Sequence, residues 1–138
     1  MMSPSHSDFQ RLSAELEGAL HFDSTMRALY ATDASVYREM PQAVALPKTE
    51  GDICKLVRFA RERGTSLIPR TAGTSLAGQV VGAGIVVDVS RHLTRILEID
   101  ETGHHVRYIP VLCGMSLTWR LLRTKFSLHR KPLHRTVA

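Results

Sequence analysis

Between Pro69 and Ile85 the chain strings together four glycines (Gly73, Gly78, Gly82 and Gly84), three hydroxyl side chains (Thr71, Thr74 and Ser75) and a single charge, Arg70. Small residues let a backbone come close to a ligand, and successive N–H groups in a tight turn form an anion-binding concavity without cationic side chains. A pyrophosphate suits such a stretch; the plain alternative is an ordinary Gly-rich connection. Familiar phosphate cradles do not account for it. A P-loop needs Lys-Ser or Lys-Thr after its last glycine, and GTSLAGQ has no lysine. The dinucleotide fingerprint must open a helix, whereas Gly82-Ala83-Gly84 runs into the apolar IVVDV.

The elements that must position this loop follow from periodicity and caps. Phe9, Leu12, Leu16, Ala19 and Leu20 share one helical face, with Ser7 as N-cap. A short helix follows Asp23 and Ser24 through Met26, Leu29 and Tyr30, and residues 31–40 are irregular. QAVAL between Pro41 and Pro47 reads as a strand. In TEGDICKLVRFARERG, Thr49 is the N-cap with Asp52 three residues on, and Ile53, Leu56, Val57 and Ala60 form the buried stripe. Gly64 ends that helix, and Arg61 and Arg63 complement its dipole. SLIP and IVVDV are the strands on either side of the loop. ILEID and HVRYIP are two more, with an open turn at Glu101 to Gly103. The fold class expected is α/β (α+β), a small mixed sheet with flanking helices.

Composition narrows the function classes. The chain has 138 residues, 43% of them hydrophobic, enough for one domain with a real core. No apolar run approaches the ~18 residues of a membrane span, and MMSPSHSDFQ has neither a basic nor an apolar leader region, so a cytoplasmic protein is expected. The net charge of +5 invites a nucleic-acid reading. Residues 1–101, however, hold all 13 acidic side chains and only 11 of the 18 basic ones. The excess comes from seven Lys and Arg in residues 102–138, interleaved after Tyr108 with only Trp119 and Phe126, which argues against a specific nucleic-acid site. Cys54 and Cys113 have no metal spacing and read as one buried small hydrophobe and one incidental thiol. His92, His104 and His105 read as solvated loop histidines, and no metal site is expected.

PRTAGTSLAGQ resembles the pyrophosphate-binding loop, P-R-G-x-G-T-S or close to it, of the FAD-linked oxidases with a PCMH-type (vanillyl-alcohol oxidase-like) FAD-binding domain. YATDASVYREMPQAVALPKTEGDICKLVRFARERG resembles the opening of that domain, and GIVVDVSRHLTRILEID the strand, turn and strand after the loop. The resemblance runs from about Leu29 to about Val106 and is strongest to the glycolate oxidase and D-lactate dehydrogenase branch; Thr71 stands where many members have glycine. It implies an N-terminal part of such a domain over 31–107, preceded by a helical segment, 1–30, and followed by a basic tail, 108–138.

By that resemblance FAD is the cofactor. Its diphosphate would meet the amides of Arg70, Thr71, Ala72, Gly73, Thr74 and Ser75, which follow Pro69, with the Thr74 and Ser75 hydroxyls as extra donors and Gly78 and Gln79 continuing the contact. Arg70 would pair with phosphate or sit in a surface ion pair. Asp88 and Ser90 would cap the next turn or touch the cofactor. The family oxidises 2-hydroxy acids, passing a hydride to the flavin and electrons on to a quinone, an iron–sulfur module or oxygen. Its second half-domain, substrate cap and catalytic histidines are expected beyond residue 138, so no catalytic residue is assigned here. A cofactor-binding but inactive module remains the alternative, and weak FAD binding is expected of the chain alone.

The tail carries its own expectation. Read from the third base of each codon from Ile109 on, permitted codons can spell PGVVRDELNLALAPH, then FF, then APETSTPNRC, which resembles the family's continuation. Residues from about Tyr108 onward are therefore expected to be a frame-shifted reading, poorly packed over HRKPLHRTVA.

Overall fold

The computed structural model describes residues 4–100 and 105–108. They fall into two compact units that meet between Thr94 and Arg95. The first contains, in order, α1 (His6–Glu15), β1 (Ala19–His21), α2 (Ser24–Leu29), β2 (Ala43–Leu46), α3 (Glu50–Arg63), β3 (Leu67–Arg70) and β4 (Ile85–Asp88). The sheet order is β1-β2-β4-β3. β4 enters between β2 and β3, parallel to both, so that Val86 faces Val44 on one side and Ile68 on the other, while β1 pairs antiparallel with β2. This is the expected small mixed sheet with flanking helices. All four residues of β2 and of β4 are buried, as befits central strands with near-continuous apolar sequence. Ala43, Ala45, Ile85 and Val87 share a core with Phe9, Leu12, Leu16 and Leu20, and Leu56 of α3 joins them.

α3 starts where Thr49 accepts from the Asp52 amide and ends at Gly64 in the left-handed region (φ 62°). Its buried stripe differs from the expected one. Leu56 and Ala60 are buried, Ile53 is half-buried, and Val57 is 53% exposed. The face is rotated toward Asp52 because that carboxylate is needed inside. Oδ1 accepts from the Glu17 amide and Oδ2 from the amides of Gly18 and Lys48, each at 2.9 Å, and the residue is fully buried. The same face carries Phe59 onto Phe9, 5.9 Å between ring centroids, and Arg63 onto Asp8 at 2.8 Å.

The opening helix also differs from expectation. Its N-cap is Ser5, not Ser7: Ser5 and Asp8 form a reciprocal capping box, and Arg11 and Arg63 add charge-assisted contacts to the Asp8 carboxylate. Ala19 and Leu20 belong to β1 rather than to α1. The helix stops at Glu15 because Asp52 claims the next amides, and Gly18 lies so close to Leu46 that an added Cβ would stand 2.2 Å from the carbonyl oxygen.

The second unit is an antiparallel hairpin of β5 (Ile96–Asp100) and β6 (His105–Tyr108), with a register shift between Ile96 and Glu98. His105 therefore lies in a strand rather than a loop. The Glu101 to Gly103 turn, His104, Cys113 and the whole 109–138 stretch with its frame-shift expectation lie outside the described residues. Cys54 is exposed. Among the described residues, no helix is long and apolar enough to cross a membrane, and no group of three His, Cys, Asp or Glu side chains could hold a metal.

Candidate cofactor-binding loop

The loop leaves the carboxyl end of β3 and returns into β4, and ligands of open α/β sheets sit outside the carboxyl ends of their strands. Thr71, Ala72, Thr74 and Gln79 are exposed, as is Pro69 at the end of the strand; Arg70, Gly73, Ser75 and Gly78 are half-buried. Gly73 and Gly78 both have positive φ, 67° and 69°. The room left by their missing Cβ atoms is taken by the chain itself: a Cβ at Gly73 would lie 2.5 Å from Arg70 Nη2, and one at Gly78 2.7 Å from the Tyr37 ring. The glycines thus set the loop's curvature and let it settle on Arg70 and Tyr37.

Ser75 organises the turn from inside. Its hydroxyl accepts from the amides of Ala77 and Gln79, 3.2 Å each, and lies 3.4 Å from Gln79 Oε1. The amides of Thr71, Ala72, Gly73 and Thr74 find no protein acceptor among the described residues. An exposed run of unspent donors is what a diphosphate requires, so the residues present fit FAD.

Among the described residues Arg70 has no ion-pair partner. Its Nη1 donates to the carbonyls of Thr32 (2.8 Å) and Tyr30 (3.3 Å), and its guanidinium carbon stands 5.1 Å from the centroid of the Tyr30 ring. The Tyr30 hydroxyl donates to Asp88 Oδ2 at 2.7 Å, and Asp88 Oδ1 accepts from the amide and hydroxyl of Ser90, the capping role expected of that pair. Arginine, tyrosine and aspartate thus tie the 30–32 segment to the ends of β3 and β4. A further bond from the Ala34 amide to the Gly73 carbonyl, 3.0 Å, brings the same segment to the loop. Tyr30 and Asp33, which sequence reasoning passed over, belong to the site. For Asp33 the signal was D-A-S, an Asx-turn pattern in which Oδ1 accepts from the Ser35 amide at 2.9 Å.

Burial, then the bond to Asp88, push the Tyr30 phenol up to about 12. The shift is upward, so the stability it contributes is complete below pH ~10 and lost as pH rises through the folded value. Tyr30→Phe is expected to cost about 1.5–3 kcal/mol, the worth of a hydrogen bond to a charged acceptor, in urea-induced unfolding. A loss within error of zero would show that Asp88 finds another donor.

The mixed sheet and its glycine loop define the FAD-binding fold of the PCMH-type oxidases, and known proteins bear this out. The alkyldihydroxyacetonephosphate synthase structure superimposes with a TM-score of 0.75 at 18% identity, over 88% of this chain and 25% of that one. The 4-ethylphenol oxidase from Gulosibacter chungangensis does so at 0.70 and 18%, over 91% and 27%. The family model described as "FAD binding domain" matches residues 41–118, more than half of the chain, and the chain belongs to that family. It is 43% identical over 84 residues to the D-2-hydroxyglutarate dehydrogenase of Escherichia coli (strain K12), covering 59% of this chain and 8% of that protein. To glycolate oxidase subunit GlcD of Bacillus subtilis (strain 168) it is 32% identical over 98 residues, covering 68% and 21%. The chain thus spans less than a quarter of the length of either relative.

Proposed function

We propose that the 69–79 loop holds the diphosphate of FAD in a flavin-dependent oxidoreductase acting on 2-hydroxy acids of the hydroxyglutarate, glycolate or lactate class. The observation that carries the reading is the exposed run of unbonded amides from Thr71 to Thr74 at the carboxyl end of β3. Backbone dipoles, not cationic side chains, supply the field, because Arg70 is spent on Tyr30 and Thr32. The Thr74 hydroxyl, exposed beside the free amides, adds a donor, and Gly78 and Gln79 bound the far side.

Bound FAD supplies the two-electron acceptor for oxidation of the substrate's hydroxyl-bearing carbon. The chain's own contribution is to bind and orient it. The side chains of Tyr30, Arg70 and Asp88 are committed to one another and to the backbone, which favours a part that holds the cofactor while substrate chemistry falls to residues elsewhere. An iron–sulfur module or a quinone is the electron acceptor that fits this class. Titrating FAD with the 138-residue chain and following flavin fluorescence tests the reading. Saturable quenching competed by ADP is expected; a linear response, with no saturation at millimolar protein, would refute it.

A further inference from the structure

One buried side-chain polar atom among the described residues has no hydrogen-bond partner: Oδ2 of Asp33. A buried carboxylate oxygen without a donor is costly, and it persists where something else completes it. The other oxygen is fully used, accepting from the amide and the hydroxyl of Ser35. That fixes the side chain in its own turn. The Ser35 hydroxyl, then the Ser35 amide and the Val80 amide at the far end of the glycine loop, hold the Asp33 carboxyl below its usual range against the opposing effect of burial.

The placement matters because the rest of the 30–38 segment already grips the loop. Ala34 donates to the Gly73 carbonyl, Arg70 reaches back to Tyr30 and Thr32, and the Tyr37 ring fills the space beside Gly78. An open cleft of about 220 Å³ lined by Tyr37, Arg38, Glu39, Ala77, Gly78 and Val81 lies beside this contact. The near half of the loop is thus tied by a made bond, and the same segment holds an acceptor that is present but unfilled. Resting on the reading of this loop as the FAD site, we propose that Asp33 is a positioning residue for the cofactor loop. Its Oδ1 locks the 33–35 turn, and its Oδ2 takes the Val80 amide when the loop seats on the diphosphate, closing the 78–81 turn against the 30–38 segment. In this role Asp33 does not touch the cofactor, and the positive charge of Arg70 favours its ionised form.

Asparagine has one acceptor oxygen where aspartate has two, so Asp33→Asn can serve Ser35 or Val80 but not both. Hydrogen exchange of the 138-residue chain with saturating FAD reads the seated loop directly. Exchange across residues 73–81 is expected to speed up about tenfold in Asp33→Asn while α3 is unchanged, with FAD affinity falling by about the same factor. Asp33→Glu, which keeps two acceptors, restores part of the affinity. Ser35→Ala frees the carboxylate from its turn, and a several-fold acceleration over the same residues is expected from it even if Asp33→Asn fails to fold. Exchange over 73–81 within twofold of wild type in whichever of the Asn and Ala variants fold would overturn the proposal. If the wild type binds no FAD, the proposed function falls and this proposal with it, whereas FAD binding with unchanged exchange over 73–81 in the variants overturns this proposal alone.

Discussion

Gly73→Val is expected to lower FAD affinity about a hundredfold or more while leaving the circular-dichroism signal of the helices intact. Two costs combine. Gly73 sits at φ 67°, where an ordinary residue loses about 1–2 kcal/mol and a β-branched one more. Its Cβ would also stand 2.5 Å from Arg70 Nη2, and the guanidinium cannot move aside without releasing the Tyr30 and Thr32 carbonyls. Relief comes from the loop, which rises off Arg70 and scatters the amides of Thr71 to Thr74. Gly73→Ala meets the same backbone cost without β-branching, and about tenfold is expected of it. Equal flavin retention by wild type and the valine variant in a fluorescence titration would show that the cofactor is held elsewhere.

The largest effect on folding is expected at Asp52. Replacing it by alanine strands the amides of Glu17, Gly18 and Lys48 in a buried site and removes the anion at the N-terminus of α3, a loss of about 3–5 kcal/mol in urea-induced unfolding. Asp52→Asn keeps the shape and loses an acceptor, and an intermediate cost is expected. Burial alone would raise the Asp52 carboxyl, but the amides of Lys48, Glu17, Gly18 and Thr49 outweigh it and hold it below the ordinary aspartate range. The folded value thus lies below the unfolded one, about 3.9. The carboxylate's contribution is fully present above pH ~4 and lost as pH falls through the folded value. The stability difference between wild type and Asp52→Asn should shrink over that acid range. A difference independent of pH would mean that Asp52 acts through packing alone.

What was legible in the sequence divides along contact distance. The β2–α3–β3 unit and β4 carry local signatures: prolines bounding AVAL, a Thr49 cap, a terminating Gly64 and apolar runs on either side of the loop. The loop itself was found because glycine, threonine and serine are the residues that anion-binding turns need. Its supports were not, since Tyr30 and Asp88 meet across 58 positions and Arg70 reaches Thr32 across 38. Nothing local marks Arg70 as an internal brace rather than a surface charge. The same holds for the end of α1: Asp52 captures the Glu17 and Gly18 amides from 35 and 34 positions away, so an apolar run that continues at helical spacing to Leu20 breaks into a strand. Val57 was misread because hydropathy counts apolar positions and cannot see that a buried carboxylate sets the rotation of α3.

Hydrogen exchange of the 138-residue chain with and without saturating FAD tests the placement of the cofactor most directly. Slowed exchange is expected at Thr71 to Gln79, extending to residues 31–35 through the Ala34 bond to Gly73, with the outward face of α3 around Val57 unaffected. Protection confined to residues outside the loop and its 30–38 support, with Thr71 to Thr74 exchanging as fast as in the free chain, would contradict it.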